Sequence, residues 1–117
     1  MRAFVDAAET AAEARDASAL KGLVADDYRD REGRTADDVR NVLHAWLVAH
    51  PSVNLLTRID SLELEGTEQA RIEVTVGLLG REAKGGSDWR LAFEVERLEV
   101  RLAREGGEWK VIGASRL

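Results

Sequence analysis

"WRLAFEVERLEVRLARE", Trp89 to Glu105, alternates apolar and charged residues for most of its length. A period of two is the period of a β-strand, and an ordinary strand has only about five or six residues. The alternation also slips. Leu91, Phe93 and Val95 are odd-numbered, whereas Leu98, Val100 and Leu102 are even-numbered. One extra residue near Glu96–Arg97 would bring both sets to one face. The spacing therefore predicts a β-bulge there and a strand that bends, as in a strongly curved antiparallel sheet.

The neighbouring segments share the period of two. In "QARIEVTVGLLG", Ala70, Ile72, Val74, Val76 and Leu78 alternate with Arg71, Glu73 and Thr75. "VNLLTRIDSLELEG" reads as a strand ending at Gly66, "REAKGGSD" as a loop, "EGG" as a turn and "EWKVIGASRL" as the last strand. Before Pro51 the period is helical. "MRAFVDAAETAAEARD" carries a stripe of Phe4, Ala7, Ala8, Ala11 and Ala14. A short second helix is capped by Asp16 or Ser18 and presents Leu20, Leu23 and Val24. Thr35 and Asp38 have capping-box spacing, and Val39, Val42, Leu43, Trp46 and Leu47 form the stripe behind them. The expected architecture is one α+β domain over 1–117. Its N-terminal helices cover the concave face of a strongly curved, cone-like antiparallel sheet, leaving a cavity at the open end. Trp46, Leu47, Ile72, Val74, Phe93, Val100, Trp109 and Val111 are the expected core.

Composition narrows the function. The formal net charge is −5, with 17 Lys and Arg against 22 Asp and Glu. With no dense basic run, nucleic acid is not an expected partner. The absence of cysteine removes disulfides, thiolate metal sites and cysteine nucleophiles. No apolar run is long enough for a membrane span. The chain reads as cytoplasmic as written, or as periplasmic or cell-envelope if a leader has been removed before Met1. There is no phosphate loop, nucleophile elbow or cofactor fingerprint, and no zinc-motif spacing, so neither cofactor nor metal is expected.

"ALKGLVADDY", Ala19 to Tyr28, and the closing "GGEWKVIGASRL", in this order of elements, resemble the NTF2-like (SnoaL-like, cystatin-like α+β) superfamily over essentially the whole chain. The resemblance implies the cone fold and leaves function open among isomerases, dehydratases, cyclases, epoxide hydrolases, transport adaptors and oligomerisation domains. For the ketosteroid isomerases it implies a first-helix tyrosine, an acid on the third long strand and a carboxylate after Ala-Asp-Asp. Only the carboxylate has a counterpart here, Asp30 or Glu32. The matching strand positions are taken as Leu91, Phe93 and Val95, all apolar.

"ADDYRDREGR", Ala25 to Arg34, holds the strongest site candidates. Tyr28 and Asp30 are two apart in an extended segment and share a face. On one reading they line the cavity as hydrogen-bond donor and catalytic base. On the other, Tyr28 is core and Asp30 pairs with Arg29, Arg31 or Arg34, which lowers its pKa. His50 lies on the apolar side of its helix and in the last turn, where a cation favours the helix dipole. Trp89 follows the glycine-rich loop and is a candidate for the cavity rim. Three functions remain open: binding of a small apolar ligand or a protein partner without catalysis, isomerisation or elimination with a carboxylate base, and assembly as a homodimer through the outer sheet face. Arg71, Glu73, Glu94, Glu99 and Arg101 are expected on that face.

Overall fold

The computed structural model describes the backbone of residues 1–50, 52–84 and 88–117 and the side chains of 1–50, 54–78 and 94–117. Three helices, α1 (Arg2–Glu13), α2 (Ala17–Gly22) and α3 (Ala36–Ala49), precede four strands. These are β1 (Ser52–Glu65), β2 (Gln69–Lys84), β3 (Asp88–Glu105) and β4 (Glu108–Arg116). They form one curved, unclosed antiparallel sheet in the order β1-β2-β3-β4, with the helices packed against it. Arg81–Lys84, expected in a loop, instead extends β2, and Asp88 already belongs to β3.

The expected bulge at Glu96–Arg97 is absent. β3 pairs with β2 without a shift from Lys84↔Asp88 to Gln69↔Ala103, with Val76↔Glu96 and Thr75↔Arg97 in regular sequence. At this point β3 is bonded on both sides, since the Leu117 N–H donates to the Arg97 carbonyl at 2.9 Å. An extra residue here would disrupt two ladders. The even residues Leu98, Val100 and Leu102 therefore face the helices. Val95 points outward and is 56% exposed. Glu94, expected on the outer face, pairs with Leu78 and shares the inner one. The side chains of Leu91 and Phe93 lie outside the described residues.

The parity breaks fall in the outer strands of the sheet. In β1 the register shifts between Ile59 and Ser61. Leu55, Thr57 and Ile59 pair with the inner-facing Leu78, Val76 and Val74, and beyond the shift Leu62 and Leu64 pair with Ile72 and Ala70. The Asp60 carboxylate pins this bulge by accepting hydrogen bonds from Thr75 and Arg58. Those two bonds hold its pKa below the usual carboxylate range. In β4 Leu102 pairs with Val111 and Arg101 with Gly113, leaving Ile112 as the extra residue. The carbonyls of Val111 and Ile112 accept from the Ala25 and Arg29 N–H groups at 2.9 and 3.1 Å. The segment after α2 is thus laid along β4, joined by a parallel bridge at Val24↔Val111 rather than by a full strand.

The core divides in two. Val5, Ala70, Ile72 and Leu102 form one buried cluster, with Phe4, Val100, Trp109 and Val111 packed around it. Val24, Tyr28 and Ala36 form the other, beside Val39 and Leu43. Leu47 and Val74 are buried as expected, whereas Trp46 is only half-buried. The α1 stripe is rotated from the sequence reading, because Val5 and Ala12 are buried and Ala7 and Ala14 are exposed. Asp16 caps α2 by accepting from the Ala19 N–H at 3.0 Å. Thr35 and Asp38 form the expected reciprocal box at the start of α3.

Two measurements check this arrangement. An added Cβ at Gly113 would lie 3.2 Å from the Arg29 carbonyl, while Gly22 has open space around it. In urea unfolding, Gly113→Val should cost about 1–3 kcal/mol by overpacking, and Gly22→Ala should be neutral or stabilising by up to about 1 kcal/mol. Ile72, 1% exposed at the centre of the first cluster, should lose about 2–5 kcal/mol on replacement by alanine.

Candidate functional site

The concave sheet and the three helices enclose an open cavity of about 460 Å³. That volume lies within the common range for small-molecule sites, about 300–1,000 Å³. Its floor is the inner face of the sheet: Ile72, Val74, Val76 and Leu78 from β2, and Leu98 and Val100 from β3. Its roof is Phe4, Val5, Ala8 and Ala12 of α1 with Val39, Val42, Leu43 and Trp46 of α3. The small side chains of Ala8 and Ala12 let α1 border the space without filling it. Glu9, Tyr28, Thr57 and the indole of Trp46 are the side chains with polar atoms in the described lining, and Glu9 is the charged one.

Tyr28 and Asp30 are brought together as their spacing suggested, but they are directed into the protein framework. The Tyr28 side chain is buried, and its hydroxyl donates to Asp30 Oδ2 at 2.9 Å. Asp30 also accepts from the Arg34 Nε at 2.7 Å, the Arg34 N–H at 3.1 Å and the Glu32 N–H at 3.0 Å. Its side chain is 2% exposed, and it is not part of the cavity lining. Desolvation pushes the Asp30 pKa up, but the Arg34 N–H, the Tyr28 hydroxyl, the Arg34 guanidinium and the Glu32 N–H together hold it below the usual carboxylate range. Burial, followed by the hydrogen bond to Asp30 and its charge, pushes the Tyr28 phenol up to about 12. A carboxylate held ionised by four donors is a weak base, and a phenol already donating to it has no proton free for a ligand. Glu32 is exposed and pairs with Arg34 at 2.6 Å. Asp30 does border a shallow cleft of about 20 Å³ with Arg29, Arg31, Glu99 and Arg101, room for little more than water.

His50 caps the C-terminus of α3. Its ring stacks on Trp46 with centroids 4.5 Å apart, and its Nδ1 lies 2.9 Å from the Trp46 carbonyl oxygen. The ring is outside the described lining, whereas Trp46 is part of it. The Trp89 side chain lies outside the described residues. Among the described residues, no group of three His, Cys, Asp or Glu could hold a metal ion, and no helix is long and apolar enough to cross a membrane.

The carboxylate that does reach the cavity is Glu9 on α1. Its side chain is 19% exposed, and its Oε1 accepts a hydrogen bond from the Thr57 hydroxyl of β1 and lies 3.6 Å from an Arg2 guanidinium nitrogen. Arg2 in turn donates to the Thr57 carbonyl at 3.2 Å, and Glu13 accepts the Leu55 N–H at 3.3 Å. α1 thus supplies side-chain partners to the unpaired edge of β1, and Glu9 is turned inward as it does so. The sequence reading missed Glu9 because it followed the alanine stripe. The signal available was its spacing of four from Val5, which puts both on one helix face. The assignment of Val95 to an inner strand position is also corrected. By register, Glu94 and Glu96 take inner positions, opposite Leu78 and Val76.

The sequence matches no protein-family model, and no curated protein is significantly similar to it. Solved structures do match. A candidate scytalone dehydratase from Novosphingobium aromaticivorans superposes with a TM-score of 0.84 at 12% identity, covering 98% of this chain and 78% of that one. A candidate dehydratase of the NTF2-like family from Streptomyces avermitilis gives 0.78 at 13% identity, covering 97% and 92%. An uncharacterised protein with a cystatin-like fold from Caulobacter vibrioides gives 0.74 at 16% identity, covering 98% and 84%. The chain has the NTF2-like, cystatin-like α+β fold.

Proposed function

We propose that this protein binds one small, predominantly apolar molecule in its cone-shaped cavity and holds it without chemical turnover. The observation that carries this reading is the lining. Aliphatic and aromatic side chains surround a volume large enough for a small organic molecule, and in the described lining polar atoms come from Glu9, Tyr28, Thr57 and the Trp46 indole. Displacing water from such a surface supplies the binding free energy without directed hydrogen bonds. Two structural neighbours are described as candidate dehydratases, and an isomerase or lyase would use a carboxylate base. Asp30, one candidate for that base in the sequence, sits in an environment that does not favour that reading. Its lone pairs are occupied, its pKa is lowered, and it faces a different cleft.

A neutral fluorescent probe, N-phenylnaphthylamine, tests the cavity directly. It should bind the wild-type protein, and Val74→Trp, which fills the floor, should weaken binding by about tenfold or more, equivalent to about 1.4 kcal/mol. Unchanged affinity in a folded Val74→Trp variant would place the probe elsewhere and refute the reading. Asp30→Asn should leave probe affinity within about twofold, since a tenfold change needs about 1.4 kcal/mol, yet lower the thermal midpoint near neutral pH. The sign of its pH dependence follows from the lowered pKa. The Asp30 contribution is complete above the ordinary carboxylate pKa and is lost as pH falls through the folded-state value. The difference in midpoint between wild type and Asp30→Asn should therefore shrink on acidification.

A further inference from the structure

Glu9 is the one charged side chain of the described lining, and the Tyr28 and Thr57 hydroxyls are committed as donors to carboxylates, which leaves the neutral Trp46 indole N–H as the side-chain donor of that lining. The Tyr28 hydroxyl donates its proton to Asp30, outside the lining. The Thr57 hydroxyl donates to Glu9 Oε1. Glu9 Oε2 carries no hydrogen bond among the described residues, and an ionised carboxylate only accepts. The cation beside Glu9 is Arg2, which does not line the cavity. Its guanidinium is divided among Asp6 at 2.9 Å, the Thr57 carbonyl at 3.2 Å and Glu9 at 3.6 Å, and its side chain is 49% exposed. Outside the lining, Glu94 and Glu96 occupy the inner sheet face by register. Glu96 is 3.7 Å from Arg116, and Glu94 is exposed.

A ligand whose polar end is a carbonyl finds at most the neutral Trp46 indole as a donor in this lining, and a carboxylate meets the charge of Glu9 with no cation in the described lining to offset it. A ligand whose polar end is a protonated amine finds a charge-assisted acceptor in an otherwise apolar wall, where such a bond is stronger than at a wet surface. We propose that the bound molecule is an amphipathic amine, an apolar skeleton with one primary or secondary ammonium group, and that Glu9 is the residue that selects it. This rests on the ligand-binding reading and goes beyond it by fixing the polarity of the head group.

Three compounds with one skeleton separate the possibilities: adamantylamine, adamantanol and adamantane carboxylate, titrated by calorimetry near neutral pH. The amine should bind most tightly and the carboxylate least, with at least about tenfold between them. In Glu9→Gln the amine should lose its advantage over the alcohol, with circular dichroism reporting that the variant is folded. Thr57→Val keeps the carboxylate and should keep the preference. Equal affinities for all three compounds, a tighter carboxylate, or a preference that survives Glu9→Gln would overturn the assignment of the head group while leaving the cavity reading standing. Binding of none of the three would overturn both. If Glu9→Gln does not fold, the wild-type ranking decides.

Discussion

β2 and β3 are joined by a ladder that runs from Lys84 and Asp88 to Gln69 and Ala103 without a register shift. That single pairing commits the even-numbered residues from Ala70 to Leu78 and from Glu94 to Leu102 to the inner face of the sheet. It buries Ile72 and Leu102 almost completely, lays Val74, Val76, Leu98 and Val100 along the cavity floor, and turns Val95 to the outer surface. A shift of one residue would turn one strand over relative to the other. Either Arg71 and Glu73 or Arg97 and Glu99 would then replace half of the apolar floor with charge.

The irregularities that such a curved sheet needs are placed where they disturb this ladder least. The β1 bulge at Asp60 is tied off by Arg58 and Thr75. The β4 bulge at Ile112 offers its carbonyl to the Arg29 N–H, and Gly113 permits the close approach of the Arg29 backbone. Asp30 then gathers Tyr28, Glu32 and Arg34 into one hydrogen-bonded turn leading to the Thr35 cap of α3. The Tyr28–Asp30 pair therefore acts as a staple between β4, the turn and α3. The same hydrogen bonds that make it a staple remove it from acid–base work.

Much of the fold could be read from the sequence, because hydrophobic period and caps are local signals. The change of period at Pro51, the Thr35–Asp38 box and the alternation of Ala70 to Leu78 each mark an element without knowledge of the rest. The parity rule was sound, but on β3 it was applied to Leu91, Phe93 and Val95 as though all three had to face inward. Val95 does not. The same rule applied to β1, where Leu55 and Ile59 are odd and Leu62 and Leu64 even, marks the bulge at Asp60. The site was less legible, because which face of a helix or strand borders empty space depends on packing between distant elements. Tyr28 and Asp30 attracted attention by their chemistry, yet their partners Glu32 and Arg34 convert them into framework. Glu9 sat unremarked among alanines, although it is the carboxylate that the close approach of α1 to β1 turns into the cavity.

The chain contains no cysteine, so single-cysteine labelling reads out the β3 face assignment and the cavity in one measurement. Val95→Cys should react rapidly with a bulky maleimide, and the rate should be indifferent to a cavity ligand. Leu98→Cys should react slowly, and more slowly still when the ligand is bound. Protection at residue 95 together with free labelling at residue 98 would contradict the register on which the cavity, its lining and its proposed ligand all depend.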